Sequence, residues 1–526
     1  MLQTKSSRNF HLRREVACIP VEHYQGRTIR SRTNGEDLTR ARRCRFRQRE
    51  SRFPQNQHLQ PIQLLAMADP TSIPTHLLLL LSSLLFTTSL SDPCAGRRIH
   101  ILPLPPRFNS DLLSLCNASF LALSDSPPFC DSFENQFLGP RIQDRSPCLF
   151  RSDPRLLEPL FHHRLQSSYP CLTPSASQAD AVFLPYYASL DALPFLFSPP
   201  LFNSSPSHGL SLHQYLRSDH PGLLSRRHGY DLFLILSGVA WDYNQKPNAD
   251  PVLWGTSFLQ LPEFVNFTIL TLESRPWPWQ EHAIPYMTSF HPSSLPRLND
   301  WLSRAARSTR TTLMLFAGGG ASVKAAASPT SRPNIRSTII SQCANRTNMC
   351  TLVDCSAGVC TRDPILYIIP MLKSKFCLQP PGDTPTRRST FSSIITGCIP
   401  VFFESTSAKK QYGWHLPKSR YDEFSVYISK EDVVFGGVRI ADVLEAIPEE
   451  KVRRMRDKVL ELAPRVMYID HRSGDDFKGV KDAFDLAIDG ALRQIQRRVQ
   501  VLEKGDSNQI YFIDDEVGEV QSAFGF

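Results

Sequence analysis

The sequence predicts an α/β protein of two lobes, each built around a parallel sheet. Short apolar runs typical of buried strands alternate with stretches in which apolar residues recur at helical spacing. The alternation forms two series, which the proline-bounded segment 284–292 separates. Alternating strands and helices indicate βαβ units, whose strands are parallel. Because parallel sheets bind ligands at the carboxyl ends of their strands, we expect the site in the cleft between the lobes.

The individual elements follow from apolar runs bounded by proline, glycine or polar residues. An N-terminal lobe is predicted over residues 95–295 and a C-terminal lobe over 296–475. The predicted strands lie within 97–105, 179–190, 229–243 and 266–273 in the first lobe, and within 311–320, 376–378, 399–403 and 424–428 in the second. A C-terminal helix is predicted over 476–500, and an acidic tail over 501–526.

The segment 374–403 gives the clearest βαβ pattern. An apolar run at 376–378 predicts a buried strand, which ends where two prolines and a glycine cannot continue the ladder. After a helical pattern, the apolar run at 399–403 predicts a second strand buried on both faces. Two adjacent arginines, Arg387 and Arg388, stand at the start of that helix. Because helix N-termini and guanidinium groups both attract anions, the turn is predicted to hold an anion such as a diphosphate.

The positive charge of the chain is confined to its N-terminus. The formal net charge is +9, and residues 1–66 alone hold 14 Lys and Arg against 5 Asp and Glu. The rest of the chain is therefore neutral overall, which gives no support to a nucleic-acid partner. Residues 1–66 are polar and lack periodicity, so a disordered basic tail is predicted there. If translation starts at Met67, these residues are instead a gene-model extension.

The apolar run at 73–90 has three interpretations. Its uncharged core, residues 77–90, is shorter than the roughly 20 residues that span a bilayer as a helix. It fits a signal-peptide core, a signal anchor in a thin membrane, or a buried helix, of which the last agrees least with the neighbouring tail. A start at Met1 favours a cytosolic N-terminus and a type II orientation, whereas a start at Met67 leaves the orientation open.

The cysteines favour a secretory route. Of the 13 cysteines, 11 follow Met67, and four of these cluster within 343–360. That cluster lacks the close Cys pairs and the histidines typical of metal sites, so disulfides are the better interpretation, with their pairing open. Cys377 and Cys398 are assigned to core packing or a disulfide rather than to nucleophiles. Triplets compatible with luminal glycosylation start at Asn117, Asn266 and Asn345.

Several motifs carry a family resemblance. Residues 376–388 read F-C-L-Q-P-P-G-D-T-P-T-R-R, and G-C-I-P-V follows at 397–401. Farther along stand Y-G-W-H-L-P at 412–417 and F-S-V-Y-I at 424–428. Together these motifs resemble the exostosin-type glycosyltransferases, and in particular the plant branch that includes xyloglucan galactosyltransferases. The resemblance covers roughly residues 97–492, sparsely in the first lobe and densely in the second.

The resemblance implies a GT-B-like fold of two Rossmann-like lobes, in which the second lobe holds a nucleotide sugar. It implies a UDP-sugar donor such as UDP-galactose, a polysaccharide acceptor such as the xylosyl side chain of xyloglucan, and inversion at the transferred sugar. It also implies a Golgi membrane protein of type II orientation with a luminal catalytic body. The nucleotide motif has no D-x-D carboxylate pair, so no metal site and no metal cofactor are predicted.

The resemblance also suggests which residues bind the donor. Arg388 aligns with the family's arginine and is expected to stabilise the departing diphosphate, with Arg387 as a second guanidinium beside it. The remaining predicted contacts to the nucleotide sugar are Gly382, Asp383, Ser389 and Glu404. The glycine lets the backbone approach the ligand, the aspartate caps the helix or accepts from hydroxyls, and the serine lies in the first helical turn. The glutamate ends a strand and should point into the cleft.

The acceptor needs a general base, for which there are two candidates. Asp231 opens a first-lobe strand and matches a family position, although a structural aspartate at a strand start explains it as well. His291, in the segment between the lobes, is the second candidate, with a loop histidine as its alternative. The aromatic residues that could stack on sugar rings, or else pack in the core, are Trp241, Tyr412 and Trp414.

Two other functions stay open. One is the transfer of a different sugar to a different wall polymer. The other is a secretory carbohydrate-binding pseudoenzyme, which departures from the family pattern motivate. Leu232 stands where the family has histidine, Gly238 stands where it has arginine, and the glycines at 318–320 lead to Lys324 where the family has arginine.

Overall fold

The computed structural model describes residues 92–117, 129–142, 148–197, 207–246, 255–275, 280–319, 334–472, 477 and 479–505. All of these belong to one compact unit, residues 89–526. The basic tail, the apolar run at 73–90 and all but the first residues of the acidic tail lie outside the described residues. Within the described ranges, no helix combines the length and the apolar character needed to cross a membrane.

The first lobe is built on a parallel five-stranded sheet. Its strands are β1 (Ile99–Ile101), β2 (Ala181–Phe183), β3 (Leu232–Val239), β4 (Thr268–Glu273) and β5 (Glu281–Ala283), in the order β1-β2-β3-β4-β5. Its helices of seven or more residues are α1 (Leu157–Ser168), α2 (Ala188–Phe197), α3 (Leu210–Asp219) and α4 (Pro221–Arg227). The four segments predicted as strands each contain one of these strands, whereas the short β5 was not predicted.

Both faces of this sheet are buried, which explains its continuous apolar runs. On β3, Phe233 and Ile235 face one way and pack in the core that contains α1. Leu232, Leu234 and Leu236 face the other way and pack in the core that contains α2 and α3. The side chains of a strand alternate between its faces, so a strand covered on both sides is apolar at every position.

The second lobe is also built on a parallel five-stranded sheet. Its strands are β6 (Thr312–Gly318), β7 (Cys350–Asp354), β8 (Ser374–Gln379), β9 (Ile399–Phe402) and β10 (Val426–Tyr427), in the order β10-β9-β8-β6-β7. Its helices are α5 (Leu295–Arg307), α6 (Ile335–Ala344), α7 (Val359–Arg362), α8 (Ile365–Leu372), α9 (Arg388–Ile395), α10 (Tyr421–Phe424), α11 (Lys430–Val434), α12 (Ile440–Glu445) and α13 (Glu449–Leu462). The prediction of two α/β lobes with parallel sheets is thus confirmed.

The strand order of the second sheet reverses between β6 and β8. The chain moves from β6 outward to β7 and then returns to the other side of β6 to form β8. The loops that leave β6 and β8 therefore run in opposite directions and leave a crevice at the carboxyl ends of these strands. Ligands of open α/β sheets bind at such a point.

The last helix, α14 (Ala483–Glu503), returns to the first lobe. Asp482 accepts the backbone N–H of Asp485, whose side chain in turn accepts the N–H of Asp482. Phe484 and Ile488 pack in the same core as Phe233 of the first sheet. The predicted helix over 476–500 is correct in kind, but it begins only at Ala483 because the capping residues stop it from starting earlier.

Five disulfides tie the described chain together. They join Cys94 to Cys171, Cys116 to Cys130, Cys343 to Cys350, Cys355 to Cys360, and Cys377 to Cys398. The cysteine cluster at 343–360 therefore forms disulfides rather than a metal site. The fifth disulfide ties β8 to the residue before β9 and encloses the whole turn and α9 between them.

The lobes contact each other at the carboxyl edge of the first sheet. The hydroxyl of Tyr412 donates to the carbonyl oxygen of Leu272 (2.9 Å), and the backbone N–H of Ser274 donates to Oε1 of Gln411 (2.9 Å). The connecting segment 284–292 contributes to the cores of both lobes. The two sheets are thus linked by hydrogen bonds and by continuous packing.

Candidate functional site

Two guanidinium groups lie close to one glycine, Gly382, of the turn between β8 and α9. A Cβ atom at Gly382 would lie 1.7 Å from Nη2 of Arg387 and 2.6 Å from Nη2 of Arg336, so any other residue would displace both arginines. Nη1 of Arg387 donates to the carbonyl oxygen of Thr386 (2.6 Å) and to Oγ1 of Thr384 (3.1 Å). These bonds fix the orientation of the Arg387 guanidinium.

Arg336 is a site residue that the sequence analysis missed. It lies in the first turn of α6, and its Nε donates to the carbonyl oxygen of Pro381 (2.9 Å). Burial, and next the charge of Arg387, lower the pKa of Arg336 to about 10, so the group stays cationic at neutral pH. Among the described residues, neither guanidinium is in ion-pair contact with a carboxylate. The sequence did contain a signal for Arg336. It is an arginine in the first turn of a helix that follows a strand end containing glycines.

A cavity of about 730 Å³ opens at the carboxyl ends of β6, β8 and β9. Its lining includes Gly382, Asp383 and Glu404, three of the residues predicted to contact the nucleotide sugar. Glu404 is ion-paired with Lys430 at the start of α11, and Phe435, just after α11, is 79% exposed at the cavity wall. The volume is within the range of about 300–1,000 Å³ that is usual for small-molecule sites. The cavity lies at the topological switch point of the sheet.

Arg388 is directed to the first lobe rather than into this cavity. Its Nη2 donates to Oγ of Ser289 (3.0 Å), in the segment that connects the lobes. In the first lobe, burial raises the pKa of Asp153, but Arg155 and, least of the causes, the charge of Arg388 lower it overall. Its Nε is buried and has no hydrogen-bond partner among the described residues. Ser389 donates its hydroxyl hydrogen to Oε1 of Gln379 (2.5 Å), so this hydroxyl is already engaged within the lobe.

Two further carboxylates belong to the first lobe, toward which Arg388 is directed. Asp153 is held by Arg155 through a bond from Nη2 to Oδ2 (2.6 Å). Oε1 of Glu158 accepts the backbone N–H groups of Ser189 (2.8 Å) and Ser237 (3.0 Å). Burial raises the pKa of Glu158 to about 7, although both N–H groups oppose the shift. Glu158 therefore titrates near neutral pH.

A third first-lobe carboxylate, Glu273 at the end of β4, bonds directly to the turn between β8 and α9. We call this turn the donor turn, after the role predicted for it. Its Oε2 accepts the backbone N–H of Thr386 (2.9 Å) and the Thr386 hydroxyl, and its Oε1 accepts the indole N–H of Trp241. The hydroxyl of Tyr286 lies 3.0 Å from Oγ1 of Thr386. Sequence reasoning missed Glu273, although its place directly at the carboxyl end of a predicted strand was a usable signal.

Asp231 lies at the opposite edge of the first sheet from these residues. It precedes β3, is fully buried, accepts a hydrogen bond from Arg226 and lies 3.6 Å from Nη1 of Arg227. A buried, ion-paired carboxylate at the amino edge cannot reach a ligand bound at the carboxyl edge. This placement does not fit the predicted role of general base, and it corrects that assignment to a structural aspartate at a strand start.

His291 does not fit the role of base either. It is fully buried, with Nδ1 2.6 Å from the carbonyl oxygen of Tyr468 and Nε2 2.8 Å from Oγ of Ser152. Burial lowers its pKa to about 4, so the imidazole stays neutral. These contacts are those of a structural histidine that joins the connecting segment to its neighbours.

The three candidate sugar-stacking aromatics have different surroundings. Tyr412 is fully buried, and the ring of Trp414 stacks on His282 with the ring centroids 4.7 Å apart. Both therefore belong to the packing of the protein. Trp241, just after β3, is 39% exposed and is the most exposed of the three.

Within the described ranges, no group of three or more His, Cys, Asp and Glu side chains is arranged to hold a metal ion. The charge available near Gly382 is instead supplied by Arg336 and Arg387. The residues from Gly320 to Pro333, which include Lys324, lie outside the described residues.

Comparison with known proteins gives consistent matches. Residues 93–444 match the family model described as the Exostosin GT47 domain. The chain is 53% identical over 418 residues to the probable xyloglucan galactosyltransferase GT19 of Arabidopsis thaliana, an alignment that covers 78% of this chain and 93% of that protein. It is 34% identical to the xyloglucan galactosyltransferase MUR3 of the same plant, over 81% of this chain and 66% of that protein. It is also 34% identical to its xyloglucan-specific galacturonosyltransferase 1, over 77% of this chain and 58% of that protein.

Proposed function

Because the chain belongs to the exostosin GT47 family and is a glycosyltransferase, we propose that it transfers galactose from UDP-galactose to a xylosyl side chain of xyloglucan, with inversion. The observation that carries the donor part is the cavity of about 730 Å³, beside which lie two guanidinium groups that form no ion pair among the described residues. The acceptor part rests on the names of the relatives. The arrangement is of the GT-B type, with the donor in the second lobe and the acceptor in the cleft between the lobes.

The cavity offers a distinct contact for each part of a UDP-sugar. Arg336 and Arg387 lie where a diphosphate would approach the backbone at Gly382, and a planar guanidinium binds phosphate oxygens through two bonds. The ribose hydroxyls would meet the ion-paired Glu404. The exposed ring of Phe435 offers a surface on which the uracil ring can stack.

In this proposal, Arg388 stabilises charge that develops during the transfer rather than binding the donor before it. It stands at the N-terminus of α9, between the donor turn and the first lobe, and its buried Nε lacks a partner among the described residues. Negative charge develops on the departing diphosphate during the transfer. A cation and a helix N-terminus next to the donor cavity would stabilise that charge without a metal ion.

A second donor is supported by one observation. The galacturonosyltransferase relative is as similar to this chain as the MUR3 relative, at 34% identity. Transfer of galacturonic acid or of another sugar is therefore the alternative within the same class of enzyme. The pseudoenzyme is the other alternative, motivated by the family positions that Leu232 and Gly238 replace.

The deciding experiment is a donor screen with the purified luminal region. UDP-galactose, UDP-galacturonic acid, UDP-xylose and UDP-arabinose would each be offered with xyloglucan oligosaccharides that carry free xylosyl side chains. We expect transfer from UDP-galactose and measurable UDP binding by calorimetry. UDP binding without any transfer would support the pseudoenzyme, and absence of UDP binding would exclude the donor site proposed here.

The location is part of the proposal. The disulfides and the exposed Asn345 of the Asn-Arg-Thr triplet suit the lumen of the secretory pathway, and residues 73–90 would retain the protein in the Golgi membrane in type II orientation. Protease digestion of sealed microsomes tests this. We expect the C-terminal region to be protected until detergent is added, and cleavage without detergent would contradict the orientation.

A further inference from the structure

We propose that Trp241 is the platform on which a sugar ring of the acceptor stacks, and that Glu273 positions this platform against the donor turn. The inference rests on the proposed glycosyl transfer, since it names a contact for the acceptor of that reaction. It concerns the first lobe, whereas the donor cavity lies in the second.

The place and the exposure of Trp241 fit an acceptor contact. The residue follows β3 at the carboxyl edge of the first sheet, which is the edge that faces the donor turn. The residue is 39% exposed, although large aromatic side chains bury most of their surface in a core. A flat indole held at a fixed angle offers an apolar surface to the C–H face of a pyranose ring.

Glu273 joins this ring to the donor side through a single carboxylate. Oε1 accepts from the indole of Trp241, and Oε2 accepts both the backbone N–H and the hydroxyl of Thr386. The carboxylate is fully buried, and a buried carboxylate is stable only where such donors replace water. Because Thr386 directly precedes Arg387, the ring and the predicted diphosphate ligands are held in one arrangement.

Neighbouring contacts keep this arrangement rigid. The hydroxyl of Tyr286 lies 3.0 Å from Oγ1 of Thr386, and Oε1 of Gln411 accepts both the N–H (2.9 Å) and the hydroxyl (3.0 Å) of Ser274, next to Glu273. An acceptor stacked on Trp241 would therefore meet the donor sugar at a distance that the protein sets before binding. Such prior alignment raises the rate of a reaction between two bound substrates.

The first test replaces the platform. With a xyloglucan oligosaccharide as acceptor, Trp241→Ala should raise the acceptor KM by about tenfold, the size of effect usual for loss of one stacked ring. Trp241→Phe should recover part of this loss, and the Kd for UDP should stay unchanged in both variants. Leu172→Ala is the matched control, because Leu172 is a first-lobe apolar residue with a similar exposure of 40%.

A second measurement does not depend on turnover. Stacking on an indole changes its fluorescence, so titration of the wild type with the oligosaccharide should change the emission, and this change should be lost in Trp241→Phe. The other tryptophans remain in both proteins and serve as an internal reference. An unchanged response in Trp241→Phe, or a normal acceptor KM in a folded Trp241→Ala protein, would overturn the assignment.

Glu273→Gln tests the positioning role. The amide keeps one acceptor oxygen, so it cannot bind the donors on both sides as the carboxylate does. We expect a higher acceptor KM together with a lower kcat, while UDP binding is retained. A drop in Tm with unchanged KM and kcat would mean a structural role only. If the wild type itself transfers nothing, the proposed function fails; if it transfers and these variants behave normally, only this inference fails.

Discussion

At the scale of single residues, Arg388 carries the sharpest prediction about the reaction. If it stabilises the departing diphosphate, its interaction strengthens as charge develops, so Arg388→Ala should lower kcat more than it weakens UDP binding. Loss of one such preorganised group costs about 3 kcal/mol of barrier, or roughly a hundredfold in rate. Arg388→Lys should restore little, because an ammonium group cannot form the paired bonds of a guanidinium.

Two further variants, measured for kcat and for UDP affinity, serve as a contrast and a control. Arg336→Ala removes a guanidinium from the donor cavity itself and should mainly weaken UDP binding. Arg454→Ala removes an exposed arginine of α13 that pairs with Glu450, and it should change neither quantity. A folded Arg388→Ala enzyme with near-normal kcat would show that Arg388 does not stabilise the departing diphosphate.

Glu158 gives a prediction about pH. Its folded pKa of about 7 lies above the ordinary value of 4.5, so its contribution to stability is fully present below about pH 4.5 and is lost as the pH rises through 7. Glutamine at this position can still accept both backbone N–H groups through Oε1 but does not titrate. Relative to the wild type, Glu158→Gln should therefore gain stability between about pH 5 and pH 8, by roughly 3 kcal/mol at the upper end.

Thermal melts across this pH range provide the measurement. The buried histidines titrate in both proteins, so their effect cancels in the difference between variant and wild type. Glu450→Gln is the control, because that carboxylate is exposed and its substitution should give a flat difference. A flat difference for Glu158→Gln as well would mean that the buried carboxylate is ionised throughout.

At the scale of elements, the disulfide between Cys377 and Cys398 encloses the donor turn and α9. Both cysteines are fully buried, and 21 positions separate them. The double substitution to alanine should lower the free energy of unfolding by about 3 kcal/mol, because a closed loop of this length limits the entropy of the unfolded chain. The measurement is denaturant unfolding of the oxidised proteins.

The disulfide between Cys355 and Cys360 supplies the comparison. It closes a loop of only 5 positions, so the matching double substitution should cost less, about 2 kcal/mol. If both double variants lost the same stability, or if the order were reversed, the length of the enclosed loop would not be what determines the effect.

The elements also show where sequence reasoning succeeds. The strands β3, β4, β8 and β9 were predictable because each is a local apolar run, and the donor turn was predictable because its prolines, glycine and arginines are contiguous. Asp231 was predicted as the general base, although its place before a strand already put it at the amino end of the sheet, away from the predicted site. Arg336 and Glu273 had local signals, a first-turn arginine and a carboxylate at a strand end. Their contacts with the donor turn, however, depend on approach between segments far apart in the chain, which no local pattern encodes.

At the scale of the whole molecule, the proposed chemistry needs no metal ion. Guanidinium groups and the N-terminus of α9 supply the positive charge that a divalent ion supplies in other transferases. Activity should therefore survive dialysis against EDTA, measured as transfer to the oligosaccharide before and after addition of manganese. Complete loss in EDTA with recovery on manganese would contradict this account of the donor site.

The return of α14 to the first lobe has a consequence for biosynthesis. Phe484 and Ile488 fill the core around Phe233, yet they leave the ribosome only after the entire second lobe has been made. On that face of the first-lobe sheet, α1 packs beside the place of α14, so the nascent lobe must wait with the face only partly covered. During this time chaperone binding and aggregation compete with folding. A premature stop codon that removes only the last helix would thus leave the donor lobe complete in sequence and still deprive the acceptor lobe of its core.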